Sequence, residues 1–285
     1  MMTVNELYRY FRDELGKLYE KNEAELICSI LFEHVGIGRA ELIKDSSHIP
    51  GKEITGRLDK YLLALKDYTP IQYVTGEAWF YKMKLKVSPA VLIPRPETEE
   101  LAEAVINYLK NKPAVSVLDI GTGSGCISIA IKKNVPAATI TAIDISSAAI
   151  AIAKENASIQ QTTIDFKQND FLDEQTWESF ASFDVIVSNP PYIPENEKQL
   201  LDKNVTAFEP HSALFVANER PLIFYEKIAA FGKTHLKKDG KIFMETHEEF
   251  AAQTAALFNN AFYTAIVLND LQGKQRMVIA TIRSQ

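Results

Sequence analysis

The sequence predicts an α/β fold: a mostly parallel sheet covered by helices on both faces, preceded by a small all-helical domain and a short β-hairpin. Three features carry that expectation. Up to about Asp67 the apolar residues recur only at helical spacing. From about Arg95 onward short β-prone runs alternate with helical ones, the pattern of βα units and a parallel sheet. Between a strand and a helix of that alternation stand Gly121, Gly123 and Gly125, a turn that allows a ligand close to the backbone. The resulting boundaries are 1–69 for the helical part, 70–95 for a hairpin linker and 96–285 for the α/β domain.

In the first part Leu7, Tyr10, Phe11, Leu15 and Leu18 form one stripe, and Leu26, Ile27, Ile30, Leu31 and Val35 a second, stopped near Gly36 and Gly38. Leu58, Tyr61, Leu62 and Leu65 form a third, stopped before Pro70. Such stripes mean amphipathic helices packed on one another, and the segment holds no cluster of reactive groups. In the linker Met83, Leu85 and Val87 alternate with Lys82, Lys84 and Lys86, a half-buried strand with a lysine face. Tyr73-Val74-Thr75-Gly76 and Trp79-Phe80-Tyr81 are also strand-prone by composition.

The α/β part reads in order as a helix from Thr98 to Leu109, a strand from Val115 to Asp119 and a helix from Ser124 to Lys132. A strand from Thr139 to Asp144, a helix from Ser146 to Asn156 and strands at Ile164 to Phe166 and Phe183 to Val187 come next. The chain closes with a helix from Pro221 to Leu236, a strand from Lys241 to Glu245, a helix from Glu249 to Phe258, and two strands, Thr264 to Leu268 and Arg276 to Thr281, turned at Gln272-Gly273. That last hairpin adds an antiparallel strand.

At 285 residues the chain fits two domains better than one. A net charge of −6 argues against a general nucleic-acid binder, which is usually basic. Two isolated cysteines, Cys28 and Cys126, make neither a disulfide framework nor a zinc site, so no metal is expected, and both read as small core residues. No run approaches the roughly 18 apolar residues of a membrane span, and Met1 to Tyr10 lacks a signal-peptide core, so a cytoplasmic location away from membranes is expected.

Val117-Leu118-Asp119-Ile120 leads into Gly121-Thr122-Gly123-Ser124-Gly125. The spacing is G-x-G-x-G, not that of a dinucleotide fold, and it lacks the Lys-Ser/Thr pair of a triphosphate-binding loop. Asp144 ends the next strand, 25 residues after Asp119 (144 − 119), where a carboxylate can accept both ribose hydroxyl protons. Asn169-Asp170-Phe171 follows the third strand; Asp170 can accept an adenine amine and Phe171 can stack on its ring. Three such clusters at successive strand ends point to one crevice and an adenosine-bearing cofactor. S-adenosyl-L-methionine fits, having an adenosine and an amino-acid end but no phosphate; Asp119 would help order the glycine loop.

Asn189-Pro190-Pro191-Tyr192 follows a strand. Two prolines fix two φ angles and remove two donors, leaving a stiff loop of carbonyl oxygens, one amide and one aromatic face. Such a loop suits a flat group carrying N–H bonds.

Together the 119–125 segment, Asp144 and Asn189-Pro190-Pro191-Tyr192 resemble the class I S-adenosylmethionine-dependent methyltransferases, whose fold is Rossmann-like with a mostly parallel seven-stranded sheet. In that superfamily the Asn-Pro-Pro-aromatic motif marks methylation of a nitrogen on a planar group: the adenine amine, the guanine amine or the glutamine amide. Pro70-Ile71-Gln72-Tyr73-Val74-Thr75-Gly76 with Phe80, Val91-Leu92-Ile93-Pro94-Arg95-Pro96-Glu97-Thr98-Glu99, and Glu209-Pro210 with Ala213-Leu214 resemble the peptide chain release factor glutamine methyltransferases, the HemK/PrmC family. The resemblance spans about Pro70 to Leu214. It implies methyl transfer to the glutamine of the Gly-Gly-Gln motif in class I release factors, S-adenosyl-L-homocysteine as product, and a helical domain that recognises the substrate. Asn189, Pro190, Pro191 and Tyr192 would bind the acceptor. Asp119, Gly121, Thr122, Gly123, Ser124, Gly125, Asp144, Asp170, Phe171 and Asn189 would bind the cofactor. Phe215-Val216-Ala217-Asn218 and Glu245-Thr246-His247 depart from the family pattern and are expected to lie away from the transfer loop.

A glutamine amide is a poor nucleophile, and the five histidines, His34, His48, His211, His235 and His247, are scattered, with His211 nearest the motifs. Positioning is the alternative: the Asn189 oxygen and the Pro190 carbonyl accept the two amide protons, and Tyr192 packs on the flat group. The rival readings are a nucleic-acid adenine methyltransferase using the same loop, and a cofactor-binding module without turnover.

Overall fold

The computed structural model describes residues 2–43 and 48–283. The chain forms two compact units. The smaller takes the chain up to Gly76 together with Lys203–Phe208; the larger comprises Glu77–Asp202 and the chain from Glu209 onward.

The smaller unit holds α1 (Val4–Leu15), α2 (Lys21–His34), α3 (Arg39–Ile43), α4 (Lys52–Lys66) and α5 (Ile71–Thr75). Thr3 and Glu6 close a reciprocal capping box at the start of α1, satisfying two otherwise unpaired backbone donors. The buried face of α1 is Val4, Leu7, Phe11 and Leu15; that of α2 is Ala24, Ile27, Cys28, Leu31 and Phe32. Both pack with Leu58, Leu62 and Leu65 of α4. Tyr10, Leu18, Leu26 and Ile30, read as part of the stripes, are exposed. An amphipathic helix buries one face, and these residues lie beside it rather than on it.

The sequence-level reading of a strand over Tyr73–Gly76 is overturned: the segment is α5. Pro70 sets the start with its fixed φ, Thr75 Oγ1 donates back to the Ile71 carbonyl at 3.0 Å, and Gly76 ends the turn at φ +74°. Ile71 and Val74 pack against the helical core, so burial overrides their β propensity.

The larger unit opens with β1 (Glu77–Phe80) and β2 (Met83–Lys86), an antiparallel hairpin in which Phe80 faces Met83. Tyr81 and Lys82 both take positive φ, as a two-residue turn demands. Asn156 ties this hairpin down: its Oδ1 accepts from Lys86 N at 2.6 Å and its Nδ2 donates to the Lys86 carbonyl at 2.9 Å. The hairpin is therefore part of the larger unit, not a free-standing linker.

There follow α6 (Pro96–Leu109), β3 (Ser116–Ile120), α7 (Cys126–Asn134), β4 (Thr139–Asp144), α8 (Ser147–Ile159), β5 (Asp165–Gln168), β6 (Phe183–Ser188), β7 (Ile193–Pro194), α9 (Lys203–Phe208, in the smaller unit), α10 (His211–Leu214) and β8 (Phe215–Val216). The chain ends with α11 (Ile223–His235), β9 (Leu236–Glu245), α12 (Ala251–Asn260), β10 (Tyr263–Asn269) and β11 (Gln275–Ile282). The seven-stranded sheet runs β10-β11-β9-β6-β3-β4-β5. β3, β4, β5, β6 and β9 are parallel; β11 is antiparallel to both β9 and β10. Val117 packs on one face with α6 and α7, and its neighbour Leu118 on the other with α11 and α12, so the central strand β3 buries both sides. β9 begins five residues earlier than its apolar alternation suggests; Asp239 at φ +65° accompanies an irregular register against β6.

From β3 the chain builds outward through β4 to β5, then crosses back to place β6 on the other side of β3. That reversal leaves a crevice at the carboxyl ends of β3 and β6, where open α/β sheets bind ligands. Ile120 pairs with Ser188 there, so the glycine loop and Asn189 leave adjacent strands side by side.

Candidate functional site

A cleft of about 220 Å³ occupies this reversal point. The turn after β3 forms its floor. Gly121, Gly123 and Gly125 have φ of +73°, +54° and +81°, values that favour glycine at each position. A Cβ on Gly121 or Gly123 would meet nothing within 4 Å, so the loop backbone faces open space. On Gly125, which starts α7, a Cβ would come within 3.2 Å of Ala153 Cβ and Ile129 Cδ1; this glycine lets α7 and α8 approach. The loop is anchored from behind. Asp119 Oδ2 accepts from Thr122 Oγ1 at 2.8 Å and Ser128 Oγ at 2.6 Å. Asp119 is fully buried and does not line the cleft; its carboxylate orders the loop from behind. Burial, helped by the nearby Asp144 charge, pushes its pKa up to about 6. Thr122 and Ser124 are buried in the floor, and the Ser124 carbonyl accepts from Asn156 Nδ2 at 2.9 Å.

Asp144, at the end of β4, lines the cleft. Its Oδ2 accepts from Gly123 N and its Oδ1 from Ser146 N, both at 2.9 Å. Each oxygen keeps a lone pair for a ligand hydroxyl. Burial raises its pKa, partly countered by those backbone donors. Asp170 is exposed at the rim, its Oδ1 accepting from Leu172 N. Phe171 also lines the cleft, but its ring is already engaged, stacked on Trp177 at 5.5 Å and edge-on to Phe231 at 5.4 Å. The exposed apolar side chain at this edge is Ile145, a lining residue the sequence reading missed. An isoleucine directly after the strand-end acid was its available signal.

β6 delivers Asn189 and Pro191 to the cleft wall, with Pro190, a buried residue, between them in the chain. The Asn189 amide is held by Nδ2, which donates to Thr98 Oγ1 at 3.0 Å. Thr98 in turn donates to Glu245 Oε2 at 2.7 Å, and the Tyr192 hydroxyl donates to Glu245 Oε1 at 3.3 Å. Tyr192 is half-buried, turned toward Glu245, and does not line the cleft. Glu245, at the end of β9, is buried; loss of hydration pushes its pKa up to about 7 against the Thr98 and Tyr192 hydrogen bonds and the Arg276 charge. Burial and Glu245 also hold the Tyr192 hydroxyl well above its ordinary value.

This network corrects one sequence-level reading. Glu245-Thr246-His247 does not lie away from the transfer loop: Glu245 bonds Tyr192, and the His247 ring sits 6.0 Å from the Tyr192 ring. Phe215-Val216 is β8 and pairs with β7, directly after Tyr192. Chain distance concealed both: β9, though far along the chain, is the direct neighbour of β6, with Met244 paired to Ser188, so its end lies beside the loop. Thr98 and Glu245 were not singled out as site residues. Among the described residues no histidine lines the cleft, and no group of three His, Cys, Asp or Glu could hold a metal ion.

Fold and cleft define a Rossmann-like class I methyltransferase. Residues 96–273 match the family model described as Methyltransferase small domain. The fold is shared with a methyltransferase from Pyrococcus furiosus, at TM-score 0.50 and 14% identity over 82% of this chain and 100% of that one. Among curated relatives, the release factor glutamine methyltransferase of Streptococcus pneumoniae is 42% identical, covering 98% of each chain. That of Flavobacterium psychrophilum is 35% identical over 99% of this chain and 100% of its own. The chain belongs to the release factor glutamine methyltransferase family.

Proposed function

We propose that this protein transfers the methyl group of S-adenosylmethionine to the side-chain amide nitrogen of the glutamine in the Gly-Gly-Gln motif of class I peptide chain release factors. The observation that carries the reading is the fixed Asn189 amide: with Nδ2 committed to Thr98, Oδ1 is the end left to the cleft. The donor set suits the cofactor. Gly121 and Gly123 offer bare backbone to its methionine part, Asp144 an anionic acceptor to its ribose hydroxyls, and Ile145 an apolar face to its adenine, with Asp170 at the rim. When bound, the cofactor supplies an electrophilic methyl carbon on a sulfonium and leaves as neutral S-adenosylhomocysteine.

Asn189 Oδ1 and the Pro190 carbonyl accept the two N–H bonds of the substrate amide. Withdrawing both protons toward acceptors favours localisation of the nitrogen lone pair, the positive charge that grows on nitrogen meets oxygens already oriented, and one of the two N–H protons is then lost to solvent, leaving a neutral N-methyl amide. Holding the nitrogen near attack distance supplies much of the remainder. The smaller, helical unit takes part in recognising the release factor. No helix among the described residues is long and apolar enough to cross a membrane.

The test is transfer of labelled methyl to a purified release factor, to its Gln→Ala variant and to an adenine-containing oligonucleotide. Label should enter the first alone. Label in the oligonucleotide, with steep salt dependence, would replace this reading by the nucleic-acid one. In Asn189→Ala transfer should fall by about 10²–10³-fold, the size of losing one preorganised group, while calorimetric cofactor affinity holds. Near-normal turnover would sink the positioning mechanism.

A further inference from the structure

Asn189, Thr98 and Glu245 form a chain of three hydrogen-bonding groups with only one internally consistent proton arrangement when the last is ionised. A carboxylate is acceptor-only. The single Thr98 proton therefore goes to Glu245 Oε2, at 2.7 Å. The Thr98 oxygen can then only accept, so Asn189 must turn its Nδ2 toward it, at 3.0 Å. Asn189 Oδ1 is left for the cleft. A primary amide is nearly symmetric in shape, and a half-turn of the Asn189 terminus would present N–H donors where the proposed chemistry needs an acceptor.

We propose that Glu245, acting through the Thr98 hydroxyl, is a positioning residue that sets which end of the Asn189 amide faces the substrate, and that the enzyme is active only with Glu245 ionised. The inference rests on the amide-transfer reading above and deepens it. A proton on Glu245 reverses the chain. Of its two hydroxyl neighbours, Thr98 at 2.7 Å is nearer than Tyr192 at 3.3 Å, so a proton on Oε2 is donated to Thr98. Thr98 then donates its own proton onward, Asn189 must offer Oδ1 to receive it, and Nδ2 swings to the cleft.

The titratable and charged groups facing Glu245 come from several elements, among them Cys126 at the start of α7, whose buried thiol the Glu245 charge helps hold neutral. From α6 come Thr98 and Glu97, from the loop after β6 Tyr192, and from α11 Tyr225, whose hydroxyl donates to the Glu245 backbone carbonyl at 3.0 Å. From β11 comes Arg276, whose Nε lies 3.5 Å from Asp270 Oδ2. His247, two residues on, lies 3.4 Å from Glu197. Burial dominates over Arg276, and Glu97 adds to it, so the carboxyl titrates near neutrality.

Two measurements on the full chain test this. In the first, the single-turnover rate of methyl transfer to a purified release factor is followed against pH. In the wild type it should rise through an inflection near 7 to a plateau. Thr98→Val leaves Glu245 in place but breaks the relay; its plateau should drop by about 10–100-fold, the worth of a hydrogen bond to an ionised group, and its inflection should vanish while cofactor affinity is unchanged. Thr98→Ser restores the hydroxyl and should regain both. In the second, which needs no substrate, the Asn189 side-chain amide resonances, assigned by their loss in Asn189→Ala, should titrate with the same midpoint in the wild type and not in Thr98→Val. An inflection that survives in Thr98→Val, or Asn189 resonances indifferent to pH in the wild type, would overturn the relay. If the release factor takes no label, the functional reading fails while the resonances still decide the relay.

Discussion

Two buried acids make the stability of the larger unit fall as pH rises from 5 to 8. Asp119 is raised from the ordinary 3.8 to about 6 and Glu245 from 4.5 to about 7, both chiefly by burial. A carboxyl raised in the folded state binds its proton more tightly there than in the unfolded chain. Its stabilisation is complete below the unfolded value and disappears as pH climbs through the folded one. At 1.36 kcal/mol per pKa unit, proton linkage between pH 5 and 8 removes roughly 1 kcal/mol at Asp119 and roughly 2–3 kcal/mol at Glu245, on the order of 4 kcal/mol together. Glu14, Glu6 and Asp184 shift downward, so their effects fall below this window, while Asp144, also raised by burial, adds a contribution of the same sign. The assay is urea unfolding followed by tryptophan fluorescence. Both tryptophans, Trp79 and Trp177, lie in the larger unit, so the signal reports that unit alone. Asp119→Asn with Glu245→Gln should flatten the dependence. A wild-type unfolding free energy that is level or rising from pH 5 to 8, or a slope undiminished in the double variant, would exclude this proton linkage.

Asp144→Ala should weaken cofactor binding by about 10–100-fold, since hydrogen bonds to a charged group are worth about 1.5–3 kcal/mol each; unchanged affinity by calorimetry would remove its ribose role. Gly125→Ala should destabilise the larger unit by about 2–3 kcal/mol, from a non-glycine residue at φ +81° and 3.2 Å contacts with Ala153 of α8 and Ile129 of its own helix α7. An unchanged urea midpoint would mean that the α8 contact yields without strain.

The sheet was legible because buried parallel strands carry continuous apolar runs between helical periods; β4 falls on the expected Thr139–Asp144. The glycine-loop side of the cleft was legible too, because glycines before a helix and a strand-end acid are local signals. Phe171 does line the cleft, but the engagement of its ring was not legible. An aromatic after a polar turn looks like a stacking platform, yet Trp177 and Phe231, distant in sequence or hidden in a 3₁₀ turn, already hold its ring. Thr98 and Glu245 were invisible as a pair, being 147 residues apart, and no periodicity reports a side-chain hydrogen bond.

The segment Arg95-Pro96-Glu97-Thr98-Glu99, recognised first only as a family likeness, has a physical reason for each residue. Arg95 clamps the buried carboxylate of Glu209, whose other oxygen accepts from Ile93 N at 3.0 Å. Pro96 begins α6 at the position where its missing N–H costs nothing. Glu97 adds negative charge that keeps the Glu245 proton affinity high. Thr98 passes polarity from Glu245 to Asn189. Glu99 Oε1 accepts from Tyr81 N at 2.8 Å and fixes the hairpin turn. One helix start therefore holds the cleft wall, the hairpin and the acceptor amide in register. A shift of α6 by one residue would undo all three at once. The transfer loop itself carries only the amide; the direction in which that amide points is decided one turn into α6 and at the end of β9.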